Sequence, residues 1–162
     1  MSYDLSLVLV DPSALESELA ESKNHTIDPS RLTPVEFSPK EKARLLHSLV
    51  NDMSLSFPNP EWDTDESETI ELIYENADKA FRLFIDEASI GITILSIDDL
   101  LFDVVDQCIN SINARGDYLI IDPQRREVLL GQQYPPLKHR VKHRLEAMKN
   151  RQDLDWVFCL GT

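Results

Sequence analysis

The sequence predicts a single α+β domain, a layered sandwich with an antiparallel-rich sheet and two or three helices packed mainly on one face. Three observations lead there. Residues 81–85 and 90–95 are β-prone apolar runs separated by Asp86-Glu87-Ala88-Ser89, a linker of hairpin length. Ile97, Leu100, Leu101, Val104, Val105, Cys108, Ile109 and Ile112 recur at helical spacing without a gap. The 162 residues, 42% of them apolar, suit one domain that buries roughly 70% of the surface its unfolded chain exposes.

In order along the chain, residues 5–10 form a first strand, stopped by Asp11-Pro12. Residues 14–20 make two helical turns. Residues 21–37, carrying Asn24, Pro29, Ser30 and Pro34, read as an irregular surface insert. Ser38-Pro39-Lys40-Glu41 opens a helix, with Ser38 capping the Glu41 N–H and Pro39 at the first helical position. Its stripe is Ala43, Leu45, Leu46, Leu49, Val50 and Met53, where it ends. Residues 57–62 form a stiff proline loop, and residues 70–74 a short strand. Ser96 caps the helix over 97–114, with Asp99 three residues on and Gly116 as its C′ residue. Residues 118–121 and 127–130 pair as a hairpin. Pro135-Pro136 starts a basic helix over about 136–150, with Leu137, Val141, Leu145 and Met148 as its seam. Residues 156–160 dock on the core. The whole of 1–162 is one domain.

The net charge is −13, and its distribution is more informative than its total. Residues 1–49 carry −3, residues 50–106 carry −13, and residues 107–162 carry +3. Such a middle third repels nucleic acid and anionic membrane and attracts cationic surfaces. The partner predicted is therefore a basic protein, with no nucleic acid and no membrane. The basic 136–150 helix either folds against the acidic third, which would offset its self-repulsion, or offers a second contact surface; the first reading is preferred. The first ten residues carry Asp4 and no basic run, so no signal peptide is expected, and no run reaches the ~18 apolar residues of a membrane helix. These features predict a cytoplasmic protein.

No sequence motif specifies catalysis or a cofactor. Cys108 and Cys159 are in no CxxC pair and read as buried thiols. His139 and His143 stand at i, i+4, a zinc-ligand spacing, but Arg140 and Lys142 flank them and the zincin glutamate is missing. A solvated basic face is the reading, and no metal is predicted. The acids at 63–68 lack the turn glycine of a calcium loop. Gly91, Gly116, Gly131 and Gly161 are too far apart to cradle a phosphate, and no GxSxG elbow occurs. Trp62, held between prolines and acids, is either an anchor for a partner or a plug at the core edge. The predicted contact surface comprises Trp62, Asp63, Asp65, Glu66, Glu68, Glu71 and Glu75.

Ser2-Tyr3-Asp4-Leu5, the proline loop ending at Trp62, the 97–114 helix and Tyr118-Leu119-Ile120-Ile121-Asp122-Pro123-Gln124 together form a pattern. It resembles a group of small bacterial proteins that begin S-Y-D-L and carry a strand ending in D-P-Q. The likeness spans roughly residues 1–130; the basic helix and the length of the 11–37 insert depart from it. That group is similar in character to immunity proteins of bacterial toxin systems. The resemblance implies a protein that binds and neutralises a cognate toxin. Two other readings stand beside it. One is a small enzyme with a spatially assembled carboxylate or histidine site. The other is an adaptor or regulatory domain that forms homo-oligomers.

Overall fold

The computed structural model describes residues 2–21, 27–56, 61–64, 69–76, 79–96 and 99–141. Seven strands form one antiparallel sheet: β1 (Tyr3–Leu9), β2 (Glu61–Thr64), β3 (Ile70–Asn76), β4 (Lys79–Ile85), β5 (Ser89–Ile94), β6 (Tyr118–Asp122) and β7 (Glu127–Leu130). Their spatial order is β2-β3-β4-β5-β1-β6-β7. The first strand thus lies inside the sheet, between the two hairpins the sequence predicts. Leu7 pairs with Ile90 on one side and with Ile120 on the other. Three helices follow the expected order: α1 (Pro12–Glu21), α2 (Pro39–Ser56) and α3 (Asp99–Asn113).

The period-2 alternation of the strands decides what each sheet face carries. Leu5, Leu7, Leu72, Phe81, Leu83, Ile90, Ile92 and Ile120 point to one face and are buried. Leu45, Leu49 and Met53 of α2 and Leu101, Val105, Cys108, Ile109 and Ile112 of α3 cover them in the main core. On the opposite face Val10 and Leu119 meet Leu15 of α1 with Ile27 and Leu32 in a smaller cluster. Two helices therefore cover one face, and α1 covers only the β1–β6–β7 end of the other.

Local chemistry explains the element starts and corrects several expectations. The Glu41 N–H donates to Ser38 Oγ at 3.2 Å, and the Ser38 hydroxyl donates to Glu41 Oε1 at 3.0 Å, so the capping box at α2 is formed. Asp11 also caps: its Oδ2 accepts from the Ala14 N–H at 3.2 Å, and Pro12 opens α1. Residues 97 and 98, the turn Ser96 is expected to cap, lie outside the described residues. Ser96 Oγ accepts from the Ala80 N–H at 2.6 Å, tying the end of β5 back to β4. Gly116 is not a left-handed cap, since no described glycine has positive φ. A Cβ there would lie 2.7 Å from Leu9 Cδ1, the tip of a flexible side chain that could turn aside.

The 21–37 insert is not all surface: Ile27, Leu32 and Phe37 are buried, and Val10 bridges to Pro34. Ala43 and Leu100 face solvent, and Phe102 takes a core place. Residues 61–64 are an edge strand, not the end of a loop. The last helix is described only over 137–141, where Leu137 and Val141 are buried. Leu145, Met148 and 156–160 lie outside the described residues. No described helix is long and apolar enough to cross a membrane.

Candidate functional site

On the sheet face opposite α2 and α3, alternate residues of β3, β4 and β5 point away from the core. Glu71, Ile73 and Glu75 of β3, Arg82 and Phe84 of β4, and Gly91 and Thr93 of β5 share this face with Asp4 and Ser6 of β1. The pairings line them into two cross-strand rows, Glu71–Phe84–Gly91–Ser6 and Ile73–Arg82–Thr93–Asp4. Among the described residues no helix covers this half of the sheet. Phe84 and Ile73 are half-buried where their counterparts on the other face are fully buried.

Glu71 and Glu75, two predicted contact residues, stand on this open face. Neither is a lone carboxylate. Arg82 lies between them, Nη2 at 3.3 Å from Glu75 Oε1 and Nη1 at 4.0 Å from Glu71 Oε1. Arg82 is 40% and Glu75 61% exposed, so each pair is worth about 0–1 kcal/mol. Such pairs exchange readily for a partner's cations. Trp62 and Asp63 lie on edge strand β2, in register with Leu72 and Glu71. Asp65, Glu66 and Glu68 lie outside the described residues. The β2–β3 pairing therefore brings Asp63, Glu71 and Glu75 together on the open face, whereas Trp62, predicted to join them, takes a register position on the core side of the sheet with Leu72.

A second cluster was not legible in the sequence. Arg140, expected on a solvated basic face, is 6% exposed. Its Nη2 donates to Asp122 Oδ2 at 2.8 Å and to Glu127 Oε2 at 2.6 Å. Asp122 also accepts from the Tyr3 hydroxyl and, at 3.2 Å, from the Arg125 N–H. The Arg140 guanidinium lies 5.4 Å from the Tyr134 ring centre, a cation–π contact. Burial disfavours the Arg140 charge, but its hydrogen bonds to the two carboxylates outweigh that and raise its pKa. Burial, with the hydrogen bond to Asp122, pushes the Tyr3 hydroxyl up as well.

This cluster holds the 137–141 turn on the β6–β7 hairpin. Asp106 of α3 assists by accepting the Leu137 N–H at 2.9 and 3.2 Å. Burial raises Asp106 to about 6 against the pull of that hydrogen bond. Of the basic helix expected to anchor on the acidic middle third, only 137–141 is described. Lys138–Asp99 at 3.7 Å and Asp106 supply that anchoring there, while the buried pair uses acids of the last third.

No described group is arranged as an activated nucleophile. Burial, aided by Asp52, pushes the Cys108 thiol up to about 12, which keeps it protonated at neutral pH. Cys159 and His143 lie outside the described residues, and His139 is exposed. Among the described residues no three His, Cys, Asp or Glu side chains gather at metal-binding distance. No protein-family model matches the chain, and no curated protein matches it in sequence.

Proposed function

We propose that this chain is an acidic cytoplasmic binding protein, and that the partner it neutralises is a basic bacterial toxin domain, as an immunity protein would. The observation that carries the reading is the half-sheet that no described helix covers. It offers half-buried Phe84 and Ile73 beside Glu71, Arg82, Glu75 and Asp4, and β2 extends it with Asp63, in register with Glu71, while Trp62, in register with Leu72, belongs to the other face. An apolar centre with a carboxylate rim suits a cationic partner. The carboxylates would steer association, and Phe84 with Ile73 would hold the complex. The resemblance to toxin-system proteins points the same way.

Homotypic pairing through β2 is disfavoured on charge. The strand is four residues long and carries Glu61 and Asp63, so a second copy would bring like charges together. The test is association kinetics with the cognate partner. Reversing Asp63, Asp65 and Glu66 to lysine together should slow association roughly tenfold or more at low salt, with a small effect at high salt. An unchanged on-rate sinks the electrostatic part of the reading.

A further inference from the structure

In this acidic chain one surface has the opposite sign. On α2, Lys40, Arg44, His47 and Asn51 recur at i, i+4, i+7 and i+11, one side of the helix. With Arg115, just beyond α3, they line an open groove of about 580 Å³. Beside it Leu9, Phe37, Leu45 and Tyr118 form the apolar wall of a narrower cleft of about 260 Å³. Arg44 and Arg115 border both spaces, so the groove and the cleft meet at their guanidinium groups.

These cations are not used inside the fold. Arg31, Arg82, Arg125, Lys138 and Arg140 each have a carboxylate within 4.0 Å. Among the described residues Lys40, Arg44 and Arg115 have none, although acids outnumber bases 29 to 16. Glu41 is the one acid lining the cleft, and the Ser38 hydroxyl binds its carboxylate in the capping box. Lys40 and Arg44 also repel each other at i, i+4. Lys40 lies in the first turn of α2, where the helix dipole adds positive potential.

We propose that this groove and cleft bind an organic phosphate monoester. The phosphate would lie between Arg44 and Arg115, whose planar forks match its oxygens. Lys40 and His47 flank the phosphate on the open side. An aromatic or alkyl body would fill the cleft against Phe37, Leu45 and Tyr118. This site is separate from the open sheet face and does not depend on the toxin-binding reading.

The experiment is an amide NMR titration of the full chain with phenyl phosphate, inorganic phosphate and phenol. Phenyl phosphate should give saturable shifts at Arg44, Leu45, Arg115 and Tyr118. Inorganic phosphate should move the same amides at about tenfold lower affinity, because it lacks the apolar body. Arg44→Gln and Arg115→Gln should each weaken phenyl phosphate about tenfold with an unchanged circular dichroism spectrum. Both side chains are exposed, so folding should be unaffected. The proposal is overturned by any of three results: no saturation up to about 10 mM; equal binding of phenol or inorganic phosphate; or unchanged affinity in both variants.

Discussion

Arg140→Met tests what holds the C-terminal turn. Methionine keeps most of the side-chain length and removes the charge. Asp122, 0% exposed, would then be left without its cation, and Glu127 would lose its shortest contact. Removing one partner of a buried ion pair typically costs 3–5 kcal/mol. Asp122 keeps the Tyr3 hydroxyl and the Arg125 N–H as donors, which places the cost at the low end, about 3 kcal/mol. With a urea slope of about 2 kcal/mol/M, the unfolding midpoint should fall by about 1.5 M. Lys138→Met is the control in the same turn: its pair with Asp99 is 48% and 66% exposed, so its cost should stay below about 1 kcal/mol. In an Asp122→Asn background no full charge is stranded, so Arg140→Met should cost at least 1 kcal/mol less. Equal costs for Arg140→Met and Lys138→Met, or no coupling to Asp122, would refute the reasoning.

Asp106 should titrate near pH 6 in a carboxyl NMR experiment. Its folded pKa lies above the unfolded value, so its proton stabilises the fold fully below about pH 4, and that stabilisation is lost as pH rises through about 6. Asp106→Asn keeps an acceptor for Leu137, so its stability relative to wild type should grow from pH 4 to 7; a constant difference contradicts the assignment. In a Cys159→Ser chain, Cys108 should react with a thiol reagent at pH 8 only after urea unfolding, because burial holds its thiol at about 12. Ser38→Ala should cost about 1 kcal/mol in urea melts, and a cost near zero would show that the capping box adds nothing to α2.

Most of the architecture was legible because its signals are local. The apolar stripe of α3, Leu100 apart, the Ser38 capping box and the two hairpins each depend on neighbouring residues. The sheet order was not legible, since β1 joins β5 and β6 from far along the chain. Burial of Arg140 was hidden for the same reason: its partners Tyr3, Asp122 and Glu127 meet it only in three dimensions. A basic residue between Leu137 and Val141 looks solvated in a helical projection. In sequence Asp122-Pro123 reads as the end of a strand, yet Asp122 lies on the inward face with Tyr118 and Ile120, and an inward acid is a signal that a cation must approach it. At the contact surface, sequence charge pointed to Glu71 and Glu75 but not to the Arg82 between them, nor to the half-sheet that no described helix covers. Arg44 and Arg115 are 71 residues apart, so the basic groove had no linear signature.

The most direct test of the central claim is a pull-down from the native host with two baits, wild type and a Glu71→Lys/Glu75→Lys chain, at low and high salt, quantified by mass spectrometry. The account predicts one basic protein captured in stoichiometric amount by the wild type and strongly depleted on the variant at low salt. Equal capture by both baits, or no enriched protein with either, would contradict it.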